Sequence, residues 1–314
     1  MFVCNRPVLP VIFGVAGEEI SVEEAAFFKK YPPAGFILFK RNISKEEKVR
    51  SLTTAMKEIS EEESIPILID EEGGDVSRIK DLEGAPIGRI VSEYENSAST
   101  IEEAASLCES SYKSIGEFLI SLGVSVNCAP VLDVKGPDTY SSFKNRCFSS
   151  DSSTVSLLGA AAMRGLKTAG CVSVMKHLPG YGSSRSDSHL KSTVIDSLPD
   201  GHMFAFKRCS GEWQWGMSSH PIFLSIDKEH SATFSKIVVN EVIRRQIGFD
   251  GFLLTDDLCM GALHAYSMCD RIEMSLESGH DCALVCSGSL RDLEKAVEGI
   301  PFMSDRSVER MISV

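Results

Sequence analysis

Eight times along this chain a short apolar run, bounded by turn-forming residues, is followed by a longer segment with helical period. The runs cover residues 11–15, 35–39, 65–70, 125–129, 172–176, 215–218, 252–255 and 282–285. Each is apolar at successive positions, so a strand built from it must be covered on both faces, by packed side chains on one side and by helices on the other. Eight such units predict an α/β fold, a parallel (β/α)8 TIM barrel whose strands surround a side-chain core. An open doubly wound sheet is the alternative; the count of eight and the lack of a glycine-rich dinucleotide loop after the first run favour the closed form. No Pro/Ser-rich linker divides the chain, which reads as a single domain over residues 1–314.

Helix starts are marked by Ser21, Ser44 and Thr100, each three residues before a Glu in the capping-box arrangement. Later helices are expected over 154–169, 235–246, 269–278 and 290–298, with a short one near 202–208.

With 43% hydrophobic and 24% charged residues the chain has material for a large core. Its formal charge of −12 argues against nucleic acid or an anionic membrane surface as partner, since those are recruited by clustered Lys and Arg. A neutral small molecule fits better. Ten cysteines without a CxxC pair read as free thiols in a reducing compartment. The apolar amino-terminal stretch is interrupted by two prolines and reads as a buried first strand, and no run approaches the roughly 20 residues of a membrane span. A cytoplasmic monomer is expected.

A barrel carries its chemistry at the carboxyl ends of its strands, and the polar residues fall there. Run three ends in Asp70-Glu71-Glu72, run four leads to Asp133 and a polar loop with Arg146, run five ends in Lys176-His177, run six in Ser218-Ser219-His220 and run seven in Asp256-Asp257. Any one of these could be a helix cap or a structural histidine. Together they predict a ring of hydrogen-bonding groups around one mouth, suited to a ligand rich in hydroxyls. The loop after run five, KHLPGYGSSRSDSHL, adds Asp187 and His189; a carboxylate that orients an imidazole gives a proton donor and acceptor near neutral pH. Asp256, at the end of an apolar strand, is the candidate nucleophile. Asp257 competes with it, because neighbours on a strand face opposite ways and only one can face the ligand.

The segments GFILFKRN (35–42), IDEEGGDVSR (69–78), APVLDV (129–134), KHLPGYGSSRSDSH (176–189) and GFDGFLLTDDLCMGA (248–262) resemble family 3 glycoside hydrolases, and within them the single-domain β-N-acetylglucosaminidases of the NagZ type. The resemblance runs through nearly the whole chain in order. It implies a retaining exo-hydrolase, a β-N-acetylhexosaminidase removing terminal β-linked N-acetylglucosamine, typically from anhydro-muropeptides in peptidoglycan recycling. It places the nucleophile at Asp256, the general acid/base at His189 with Asp187 as its partner, and sugar-binding groups at Asp70, Arg78, Arg146, Lys176 and His177, with no cofactor and no metal. Tyr181 stands where relatives usually carry His, and Asp75 where an Arg is often found. If the loop is open in the free enzyme and closes on sugar, the dyad would assemble only during turnover. A phosphorylase using phosphate in place of water, a sugar-binding barrel without turnover, and a metal-assisted hydrolase are the alternatives; without His-x-His or HExxH spacing the last has least support.

Overall fold

A computed structural model of the chain describes all residues except 1, 3, 87, 90, 189–191, 291 and 292, and the side chain of Ser142. Among the described residues the strands are β1 (Leu9–Gly14), β2 (Pro33–Leu38), β3 (Ile67–Ile69), β4 (Val126–Asn127), β5 (Val172–Leu178), β6 (Val194–Ile195), β7 (Trp215–Ser218), β8 (Ile222–Phe223), β9 (Phe252–Asp257) and β10 (Cys282–Val285). Eight of them, at the eight apolar runs, close into a barrel in the order β1-β2-β3-β4-β5-β7-β9-β10, with β10 pairing back onto β1. Every barrel pairing is parallel. The short strands β6 and β8 form a separate parallel pair in the connections around β7.

The two faces of the strands fill two cores. Ile12, Ile37, Leu68, Val126, Val174, Trp215, Met217, Phe252, Leu254 and Leu284 pack together inside the barrel. Their neighbours one position along, including Phe13, Phe36, Ile67, Ile69, Leu253 and Ala283, pack against the helices outside. Trp215 lies 4.6 Å from Phe252 between ring centroids and helps fill the interior. This double burial is why the strands read as continuous apolar runs.

Ser21 and Thr100 cap their helices as the sequence predicts: Ser21 closes a full capping box on the helix Val22–Lys30, and the Thr100 hydroxyl accepts the amide of Glu103 at the start of the helix Ile101–Ser121. Ser44 does not. Its hydroxyl donates to Glu18 at 2.8 Å, and the helix Glu46–Ser60 starts after Lys45 without a side-chain cap. The segment expected as a helix over 235–246 is wound as a π-helix, Val238–Ile247, ending at Gly248 with φ +84°.

Candidate active site

Side-chain alternation decides which residues reach the carboxyl-terminal mouth. Along β9, Phe252 and Leu254 face the barrel interior, and a period of two carries that face to Asp256. Asp256 lines a cavity of about 140 Å3 together with Asp70, Glu72, Arg78, Arg146, Lys176, His177, Tyr181, Ser188 and His220. Asp257 takes the opposite face, where one carboxylate oxygen accepts the amides of Cys259 at 2.9 Å and Cys286 at 3.1 Å. Of the two competing aspartates, Asp256 is the one that meets the cavity, and Asp257 ties the ends of β9 and β10 together.

Leu68 points inward on β3, so Asp70 and Glu72 follow it into the cavity. Glu71, between them, turns the other way and accepts the amides of Arg78 at 2.7 Å and Ile79 at 3.2 Å. Burial raises the Glu71 pKa in spite of the Ser77 hydroxyl and these two amides. The result is a loop folded back on its own strand, which brings Arg78 to the same cavity. On β5, Lys176 continues the inward face of Val172 and Val174, with only 2% of its surface exposed.

These side chains form one ionic cluster around the buried Glu72 and Lys176. Lys176 Nζ donates to Asp70 Oδ1 at 2.9 Å and lies 2.7 Å from Glu72 Oε1. Arg146 grips Glu72 with two parallel hydrogen bonds of 2.8 Å, from Nε to Oε2 and from Nη2 to Oε1. Arg78 Nη2 stands 3.6 Å from the second oxygen of Asp70. Burial works against the charges of Glu72, Arg146 and Lys176, but opposite charges at this distance prevail. Against that burial, Arg146 and Lys176 hold the Glu72 pKa far below the ordinary glutamate range. Lys176 and Arg146 are conversely raised, because Asp70 and Glu72 outweigh the cost of burying them. At neutral pH Glu72, Lys176 and Arg146 are therefore ionised, and together they present a fixed carboxylate and cationic donors to whatever fills the cavity.

His177 is oriented from behind. Its Nδ1 lies 2.7 Å from Asp133, a fully buried carboxylate that also accepts the main-chain N–H groups of His177 and Tyr181. With Nδ1 engaged, Nε2 is the nitrogen available to a ligand. His220 sits beside Asp256, with Nδ1 2.6 Å from the Thr233 hydroxyl and Nε2 3.0 Å from the Asp257 carbonyl. Burial lowers the His220 pKa, against the pull of Asp256. Burial would raise the Asp256 pKa, but His220, His177, the Asp257 amide and Lys176 together hold it below the ordinary aspartate value. The Asp257 amide donates to Asp256 Oδ1 at 2.8 Å. Asp256 is thus an anion with one oxygen fixed.

All five residues expected to bind sugar, and the expected nucleophile, converge on this cavity. His189 lies outside the described residues, so its placement relative to Asp187 and Asp256 is not part of the structure. Tyr181 lines the cavity with 5% of its surface exposed, and Asp75, which is exposed, accepts a hydrogen bond from Asn145 at 2.9 Å. Glu72, Asp133 and His220 stood out in the sequence only as members of the strand-end ring. A strand-end position was the sole signal for them; their roles depend on which partner the fold brings opposite. Among the described residues no three His, Cys, Asp or Glu side chains are grouped to hold a metal ion. A larger hollow of about 430 Å3 opens at the other end of the barrel, near Phe2, Ser125, Val172 and Gln214, and among the described residues it brings together no comparable ionic cluster.

The comparisons with known proteins agree with this architecture. The model of the glycosyl hydrolase family 3 N-terminal domain matches residues 9–314. A beta-hexosaminidase of Psychromonas ingrahamii is 32% identical over 291 residues, covering 88% of this chain and 82% of the relative. One from Pseudomonas aeruginosa is 27% identical over 283 residues with the same two coverages, 88% and 82%. The crystal structure of NagZ from Neisseria gonorrhoeae in complex with N-trifluoroacetyl-D-glucosamine superimposes with a TM-score of 0.86 at 28% identity, covering 98% of this chain and 90% of that one. A parallel barrel with an inward-facing aspartate at the end of β9, matched by the family model over all but its first eight residues, belongs to glycosyl hydrolase family 3.

Proposed function

We propose that this protein is a retaining exo-β-N-acetylglucosaminidase that removes terminal β-linked N-acetylglucosamine. The observation that carries the reading is Asp256: an ionised carboxylate with one oxygen pinned, delivered by a barrel strand into a small cavity walled by sugar-type hydrogen-bonding groups. The cavity volume of about 140 Å3 suits one pyranose ring better than an extended glycan, in keeping with exo action. Similarity to beta-hexosaminidases and to a NagZ crystallised with an N-acylated glucosamine supports the choice of sugar.

In this mechanism Asp256 attacks the anomeric carbon as His189, oriented by Asp187, gives a proton to the departing glycosidic oxygen. His189 then takes a proton from water, whose oxygen displaces Asp256 and restores the original anomeric configuration. The ring hydroxyls are held meanwhile by Asp70, Arg78, Arg146, Lys176 and His177. A retaining enzyme ordinarily uses two carboxyl groups about 5 Å apart, and here the Asp187–His189 pair stands in for the second. Anhydro-muropeptides of peptidoglycan recycling are the proposed natural substrates, acted on by a monomer in the cytoplasm. Ten cysteines, all unpaired, fit a reducing compartment. No helix among the described residues is long and apolar enough to cross a membrane.

The test is to trap the glycosyl-enzyme with a 5-fluoro-N-acetylglucosaminyl fluoride and map the labelled peptide. The expected label is on Asp256; label on Asp257, or none under conditions of turnover, would overturn the assignment. A companion variant, His189→Ala, should slow substrates with poor leaving groups far more than activated ones.

A further inference from the structure

The Gly- and Ser-rich composition of the loop after β5 suggests a slack tether, yet its described part is bonded throughout. Tyr181 enters it with its main-chain N–H on Asp133 and its ring edge-on to Phe143 at 5.0 Å, with His177 at 6.0 Å. The Tyr181 hydroxyl donates to the Ser186 carbonyl at 2.9 Å and accepts from both the amide and the hydroxyl of Ser188 at 3.1 Å. A phenol has one proton and two lone pairs, so this hydroxyl is fully used. The Ser188 carbonyl in turn accepts the Ala262 amide at 3.1 Å, in the loop that follows β9. A continuous line of contacts therefore runs from Asp133, which orients His177, through Tyr181 and Ser188 to the loop beyond Asp256. Asp187 lies between the two residues that the hydroxyl holds.

We propose that Tyr181 is a positioning residue whose hydroxyl clasps Ser186 and Ser188, and thereby fixes Asp187 and the loop that carries it against the loop after β9. The catalytic consequence rests on the roles proposed above for Asp187 and His189. The clasp acts on the acid/base side of the reaction alone, because Asp256 and the ionic cluster are held by other bonds.

Tyr181→Phe removes the hydroxyl and keeps the ring. Two measurements on the full chain test the clasp. In the first, kcat/KM for an alkyl β-N-acetylglucosaminide should fall about tenfold more than for the 4-nitrophenyl glycoside, with KM little changed, since only the poor leaving group needs the positioned proton donor. In the second, trypsin should cut faster after Arg185, whose side chain is 73% exposed within the loop, again by about tenfold, as the local opening becomes easier. Ser188→Ala, which keeps the amide bond to the hydroxyl, should show a smaller effect in both. Equal losses on the two glycosides, or unchanged cleavage after Arg185, would overturn the proposal. A wild-type protein inert toward both glycosides would end the functional reading instead, and the proteolysis would still decide for or against the clasp.

Discussion

Glu72 sits at the centre of the ionic cluster with 1% of its surface exposed, and its replacement by glutamine is the sharpest probe of that cluster. Glutamine fills the same space and can keep one oxygen toward Arg146 Nη2 and Lys176. Its amide nitrogen would then point a donor at the Arg146 Nε–H group, which now donates to Oε2 at 2.8 Å. Two cations would also lose their shared counter-charge. Breaking a buried pair by removing one partner costs about 3–5 kcal/mol, and the retained oxygen argues for the lower end, about 3 kcal/mol. For a chain of 314 residues, an unfolding entropy of about 2 cal/mol/K per residue converts this to a fall in Tm of about 5 °C near neutral pH. The pH dependence has a definite sign. The Glu72 pKa is depressed in the folded state below its ordinary 4.5, so its contribution is complete above that value and is lost as pH falls toward the folded pKa. The gap in Tm between wild type and Glu72→Gln should be flat from about pH 8 to about pH 5.5 and narrow below about pH 4.5. Scanning calorimetry over that range reads it directly. A gap under about 1 °C at pH 7, or one that widens in acid, would refute the reasoning.

Asp256→Asn should remove activity by about 10^4-fold or more, whereas Asp257→Ala, which strips the acceptor from the Cys259 and Cys286 amides, should cost about 2 kcal/mol of stability; thermal melts and glycoside assays on the two variants together separate the neighbours. His220→Asn should shift the acid limb of the kcat/KM profile to higher pH, because His220 is foremost among the groups that hold the Asp256 pKa down against burial; a limb that stays or moves lower contradicts this. Gly182→Ala should lower kcat/KM by about a hundredfold, since a Cβ there would run into the Val134 carbonyl oxygen and lie 2.9 Å from the His202 ring, and a displacement of about 1 Å in this loop is enough for such a loss; steady-state kinetics with unchanged far-UV dichroism would show it.

How much of this was readable in advance depends on the length scale of the cause. The eight strands were legible because burial on both faces leaves a continuous apolar run, a local signature that needs no partner to be seen. The carboxyl-end residues were legible for the same reason: where the apolar run stops, the side chains meet solvent or ligand. That double burial also hid the choice between Asp256 and Asp257. With both faces of β9 apolar, nothing in the order of residues says which face becomes barrel interior. Only closure of the barrel, placing Phe252 and Leu254 inside and Leu253 outside, gives the inward position to Asp256.

Ser44 shows the limit of local rules from the other side. Its spacing to Glu47 is that of a capping box, yet Glu18, 26 residues earlier, takes its hydroxyl. Glu72 and Asp133 could be named as polar residues at strand ends, but their pairing with Arg146 and His177 joins residues 74 and 44 positions apart. By itself, the sequence determined the barrel, the end where its polar groups gather and which strand-end groups gather there, because a continuous apolar run and the polar residues that end it are properties of neighbouring residues. The tertiary structure decided which carboxylates are ionised and paired, which aspartate meets the cavity, and that Tyr181 fastens its own loop, because each depends on a charge or hydrogen-bonding partner that only folding brings within reach.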